Sequence, residues 1–124
     1  MLANLLAVFI GGGIGSLARF GISMLVMNNF RSVFPIATLL SNIFSCFVLG
    51  LVVYMFGEKL NTEIFSRLLL ITGFCGGFST FSAFSYETVE LIKNGNMMYA
   101  ILNVCLSVSF CLGIIYLLTR THVS

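Results

Sequence analysis

Charge is nearly missing from this chain. Of its 124 residues 8% are Asp, Glu, Lys or Arg, while 59% are hydrophobic. With a mean hydropathy of +1.09, that composition excludes an ordinary soluble domain and makes lipid the expected solvent. No basic cluster is present to meet a nucleic-acid backbone. The single histidine, His122, sits in a polar tail and reads as solvated. The four cysteines, Cys46, Cys75, Cys105 and Cys111, all fall inside apolar segments, without a Cys-x-x-Cys pair or a nearby histidine cluster. They read as small apolar packing residues rather than metal ligands or disulfide partners. No membrane-embedded His, Asp or Ser/Lys arrangement sets a nucleophile beside a base, so an enzyme is not expected.

What is present is four apolar stretches, residues Leu2 to Met27, Phe34 to Phe56, Ile64 to Ile92 and Met97 to Leu118. Each meets the need for about 20 residues per membrane span. The connectors hold Asn28, Asn29 and Arg31, then Gly57 to Thr62 with Glu58 and Lys59, then Lys93 to Asn96. All three are turn or interfacial chemistry. The first stretch lacks the basic start and small-residue cleavage site of a signal peptide and is read as a span. The expectation is an all-α integral membrane protein, one four-helix domain over residues 1–124.

The bias of Lys and Arg across the two faces sets the orientation of a membrane chain. Here it vanishes. With four spans, Lys59, Arg67 and Arg120 fall toward one side, and Arg19, Arg31 and Lys93 toward the other. A chain that inserts both ways can pair with an inverted copy of itself around a two-fold axis in the membrane plane. An antiparallel, dual-topology homodimer is therefore expected; the alternative is a single orientation fixed by folding or lipid.

The third stretch is too long for one straight helix, since roughly 28 residues at about 1.5 Å each exceed a hydrocarbon core of about 30 Å. Within it lies Gly73-Phe74-Cys75-Gly76-Gly77-Phe78-Ser79-Thr80-Phe81-Ser82-Ala83-Phe84-Ser85. Gly73, Gly76 and Gly77 followed by Ser79 and Thr80 predict a break into two half-helices. Lipid tolerates freed backbone groups only where they are buried in protein or line a polar cavity. Freed carbonyls from two antiparallel copies would form an oxygen cage suited to Na⁺. The competing reading is that the glycines only permit close helix packing.

After the break, Phe81 and Phe84 share a helix face, with Ser82 and Ser85 on an adjacent stripe. Such rings are ordinarily packing or lipid-facing residues. Beside a break they suit a second role, because a phenyl ring has a positive edge and can hold a small anion without a trapping counter-charge. The other polar groups within spans are Arg19, Ser41, Asn42, Ser45, Glu87, Glu90, Asn103, Ser107 and Ser109. Asn42 could donate its amide to an anion, and Ser107 lies one turn beyond Asn103. Helix–helix hydrogen bonding competes for each. Arg19 either snorkels to the interface or draws anions into a vestibule.

Three runs together resemble the CrcB/Fluc family of fluoride channels: Gly11-Gly12-Gly13-Ile14-Gly15-Ser16-Leu17-Ala18-Arg19-Phe20, then Thr38-Leu39-Leu40-Ser41-Asn42 with Gly50, then Gly73 through Ser85. The likeness spans essentially the whole chain in order. It implies a dual-topology dimer in the bacterial cytoplasmic (inner) membrane, with two antiparallel pores exporting fluoride by passive electrodiffusion. By that resemblance Phe81, Phe84 and Asn42 line the fluoride pore, Arg19 stands in its vestibule, and Thr38, Ser82 and Ser107 form a hydroxyl track. A structural Na⁺ at the dimer centre corresponds to the backbone carbonyls of Gly76 and Ser79, and the family's Phe-Ser-x-Glu continuation places its glutamate at Glu87.

The chain departs from the family pattern at Ala37 and Ser45, where glycines are usual, at Ser79 and Ala83, where threonines are common, and at Asn103, which aligns with a tyrosine of some members. Two rival readings are a small dual-topology multidrug transporter and a non-conducting membrane assembly subunit. The transporter needs an acidic residue in the first span, and the first acid here is Glu58.

Overall fold

The computed structural model describes residues 1–29, 34–57 and 63–123, and the segments are helical. Helix α1 runs Leu2–Asn29 and α2 runs Ile36–Phe56. Helix α3 covers residues 64–78 without interruption, as an α-turn Ile64–Arg67, a π-helix Leu68–Cys75 and a final α-turn Gly76–Phe78. Helix α4 spans Phe81–Lys93 and α5 spans Met97–Val123. Taken as α1, α2, α3 with α4, and α5, four segments are long and apolar enough to cross a membrane.

Two boundaries differ from expectation. Asn28 and Asn29 continue α1 instead of forming a connector, and residues 119–123 extend α5 through the polar tail. At the edge of the hydrocarbon a polar side chain can reach water while its backbone keeps its helical bonds, so the helix ends later than the apolar run. Arg31, Glu58, Lys59 and Thr62 lie outside the described residues.

The turn between α4 and α5 has a local cause. Gly95 takes φ +82°, and its N–H donates to Ile92 O at 3.2 Å while the N–H of Asn96 donates to Leu91 O at 2.8 Å. This is the glycine-terminated helix ending in which a left-handed residue satisfies the last carbonyls. Asn96 O then accepts from Ala100 N at 3.1 Å, starting α5 within the same few residues.

The interior is thin and unusually polar. Buried apolar residues are Ala7, Val52, Cys75, Phe78, Leu91 and Ala100, while Ser41, Ser45, Asn103 and Ser107 are buried beside them. Large side chains such as Phe9, Leu17, Phe20, Tyr86 and Leu112 face outward. In lipid this distribution carries no hydrophobic penalty, and helix association rests on close packing and interhelical hydrogen bonds. Helix α1 packs chiefly on the π-helical part of α3, and α2 chiefly on α5.

Glycine makes the first of these contacts possible. A Cβ at Gly11 would run into Leu69 O, one at Gly15 into Phe74 O, and one at Gly77 into Gly12 O. The two backbones touch because no side chain intervenes, so the close-packing reading of Gly73 and Gly77 holds. The expected break also exists, but it lies C-terminal to the glycines. Gly73, Gly76 and Gly77 are all helical, and the chain unwinds at Ser79 (φ −93°, ψ 156°) and Thr80 (φ −151°, ψ 122°).

Candidate functional site

The two extended residues are held in place by side chains on each side. Thr80 caps α4, its Oγ1 accepting from Ala83 N at 3.3 Å, the usual service of a threonine N-cap. The same Oγ1 lies 3.0 Å from Ser82 Oγ. The N–H of Thr80, which in a continuous helix would donate to the Gly76 carbonyl, donates instead to Asn42 Oδ1 at 3.1 Å. Ser79 turns its hydroxyl back to Cys75 O at 2.8 Å.

Asn42 belongs to a stripe of α2 that bridges the break. Thr38 Oγ1 donates to Glu87 Oε1, Asn42 accepts from Thr80, and Ser45 Oγ donates to Cys75 O at 3.0 Å. These residues are spaced four and three apart, hence on one face. Their partners fall after, at and before the unwound turn. One helix face therefore sets the relative position of α3 and α4, through bonds each worth about 1 kcal/mol net in proteins generally. The stripe also carries Ser41, 0% exposed, whose hydroxyl has no partner among the described residues.

Beside this turn lies a cavity of about 310 Å³, lined by Asn42, Cys46, Ser79, Thr80, Phe81, Phe84, Ser107, Val108, Cys111 and Leu112. Four of the residues expected on the pore, Asn42, Phe81, Phe84 and Ser107, thus converge from α2, α4 and α5. The Phe81 and Phe84 rings stand 5.7 Å apart at 42°. Phe84 is half-buried, whereas Phe81 is 78% exposed on the outer surface of the chain.

The remaining expected residues sit around the cavity rather than in its wall. Ser82 is exposed and reaches the site through Thr80. Thr38 is engaged by Glu87. Asn103 is 0% exposed; its Nδ2 donates to Thr88 Oγ1 at 2.9 Å and its Oδ1 accepts from Ser107 Oγ at 3.4 Å, which ties α5 to α4. Arg19 neither extends freely to the interface nor lines the cavity. Its Nε donates to Gly77 O at 3.3 Å, meeting one of the last carbonyls of α3.

For the expected Na⁺ position, the donor chemistry is compatible. The turn of Thr80 toward Asn42 frees the Gly76 carbonyl from its helical donor, and Gly76 is exposed, as are Phe81 and Ser82. Neutral carbonyl oxygens suit a hard monovalent cation.

Thr80, Cys46 and Cys111 were not singled out as site residues from sequence. Thr80 carried a signal, being a cap residue ahead of an apolar helix. The cysteines carried none, because their proximity depends on the packing of α2 on α5.

Comparison with known proteins identifies the family. Residues 6–118 match the family model described as CrcB-like protein, Camphor Resistance (CrcB). The chain is 44% identical over 109 residues to the fluoride-specific ion channel FluC of Serratia proteamaculans, covering 88% of this chain and 85% of that protein. It is 42% identical over 109 residues to fluoride-specific ion channel FluC 1 of Yersinia pseudotuberculosis, with the same coverage. An Escherichia coli fluoride-specific ion channel FluC is 44% identical over 104 residues, covering 84% of this chain and 81% of that protein. With a family model matched over residues 6–118 and a relative 44% identical over 88% of its length, the chain belongs to the CrcB family.

Proposed function

We propose that this protein is a fluoride-selective ion channel, a single four-helix domain that acts as an antiparallel dual-topology homodimer in the bacterial cytoplasmic membrane and releases cytoplasmic fluoride by passive electrodiffusion. The observation that carries the reading is the convergence of Asn42, Phe81, Phe84 and Ser107 on one cavity beside an unwound turn. Relatives bearing the name fluoride-specific ion channel supply the identity of the ion.

The chemistry follows from the lining. Fluoride leaves water only if its lost hydration is replaced; the Asn42 amide and the Thr80–Ser82 hydroxyl pair offer neutral donors, and the Ser107 hydroxyl, bonded to Asn103 Oδ1 at a long 3.4 Å, turns to the ion in exchange for that bond. Phenyl edges of Phe81 and Phe84 add attraction without a fixed positive charge, so the ion is bound weakly enough to leave. Chloride is rejected by width. Arg19, tied to Gly77 O, contributes positive potential at the vestibule. Thr38 gives its one hydroxyl proton to Glu87, so its part in the hydroxyl track is to hold the far side of the break rather than to donate to the ion.

The outward placement of Phe81 supports the dimer: the ring borders the cavity yet is 78% exposed, and a second copy would close the pore wall over it. Two such copies make two pores. The near balance of Lys and Arg permits both orientations. Carbonyls of Gly76 and Ser79 from both copies would hold a Na⁺, whose charge fixes the two unwound turns against each other.

The test is release of fluoride from liposomes holding the purified protein, with a potassium ionophore to relieve charge build-up and chloride followed in parallel. Rapid fluoride loss without chloride loss is expected. Retained fluoride with folded, dimeric protein would remove the channel function.

A further inference from the structure

Of the four cysteines, two share a wall of the cavity. Cys46 comes from α2 and Cys111 from α5, two helices packed on each other, and both residues line the one cavity. Each stands four residues from a proposed anion ligand on its own helix, Cys46 after Asn42 and Cys111 after Ser107, so the pair is one helical turn, about 6 Å, along the same faces. Cys75 is buried and Cys105 is on the outer surface, away from the cavity lining.

Among the described residues no third His, Cys, Asp or Glu joins a metal-binding group. A four-coordinate ion such as Zn²⁺ is therefore poorly served. A soft ion that accepts two thiolates in a near-linear arrangement needs nothing more, and thiolate ligands select soft metals.

We infer that Cys46 and Cys111 form a two-coordinate site for a soft, thiophilic metal ion of the mercuric class, and that an ion held there obstructs the cavity. Binding replaces two S–H bonds by two S–metal bonds and releases two protons, so no oxidant is required. A bound ion bridging α2 and α5 occupies space one turn from Asn42 and Ser107, and because the two thiolates balance its charge the obstruction is steric. An anion is then excluded by the lost width. The obstruction rests on the channel reading; the site itself does not.

The experiment uses the full-length protein with Cys75→Ala and Cys105→Ala, so that only the pair remains. Mercuric ion is titrated in, and free thiols are counted by maleimide labelling after denaturation. One ion per chain should protect both thiols, and Cys46→Ser or Cys111→Ser should each weaken binding at least tenfold. Protection of one thiol per ion, or binding unaffected by either change, would overturn the site. In liposomes, mercuric ion should slow fluoride release at least tenfold and a dithiol should restore it. In the Cys46→Ser form the same addition should alter that form's own rate by less than twofold. Stoichiometric binding with undiminished release would overturn the obstruction while leaving the site, and a protein that releases no fluoride at all would fail as a channel while its mercury stoichiometry still decides the site.

Discussion

The third membrane segment meets its neighbours in two different ways. Against α1 it presents Gly73 and Gly77, and the backbones touch with no side chain between them. Against α2 it presents Cys75 O, Thr80 N and Glu87, each met by a polar side chain, and space is left for a cavity of about 310 Å³. The first contact leaves no room for an ion and gives position. The second leaves room and supplies donors. A chain with so little apolar interior uses the glycine contact as its fixed frame, and this is what allows α4 to be displaced from the axis of α3 without the bundle loosening.

Breaking the frame should have the largest effect. Gly77→Val places a branched side chain into Gly12 backbone, which cannot move aside as a flexible side chain could. Overpacking of a well-packed interior costs about 1–3 kcal/mol and more when backbone is hit. The expected outcome is loss of the monodisperse peak in detergent chromatography. Gly13→Ala is the matched control, since a Cβ there meets nothing within 4 Å. Replacing a helical glycine by alanine gains up to about 1 kcal/mol, so the control should keep its peak and melt no lower than the parent.

Breaking the bridge should do less to the fold. Thr38→Val removes the donor to Glu87 and leaves a carboxylate oxygen without it. Leaving a buried or half-buried acceptor unmet costs about 1–3 kcal/mol. Thermal unfolding should fall by several degrees while the protein remains folded, and an unchanged melting point would mean that the bridge contributes nothing. Ser41→Ala should act in the opposite direction and more weakly. Its buried hydroxyl has no partner among the described residues, and removing an unmet polar group is neutral to stabilising. A clear loss of stability would show that Ser41 has a bonding role in the assembled protein.

These contrasts also explain what could be read from sequence. Helical spans and an interrupted third segment are legible because hydrophobic length and a Gly-Gly-x-Ser-Thr run act locally. The position of the interruption is not. Glycine favours both a break and a close approach, and the choice depends on Gly11, Gly12 and Gly15, some sixty residues earlier in the chain. Once α1 covers Gly73 and Gly77, staying helical is favoured, and the chain unwinds at the next residues able to cap and redirect it, Ser79 and Thr80.

The site residues divide in the same manner. Phe81, Phe84 and Asn42 could be nominated from local spacing and motif resemblance, and they reach one cavity with Ser107. The bonds of Thr38 to Glu87, Asn103 to Thr88 and Arg19 to Gly77 O join residues on different helices. Periodicity within one helix carries no information about which polar group opposes it on another.

The most direct test compares fluoride release through the parent, Phe84→Ile and Asn42→Ala in the same liposomes, at matched amounts of protein verified to be folded and dimeric. The account predicts a fall of at least tenfold in both variants, because one loses a ring edge and the other loses both an amide donor and the acceptor that holds Thr80 beside it. Parent-like release in both would contradict it and move the anion path away from this cavity.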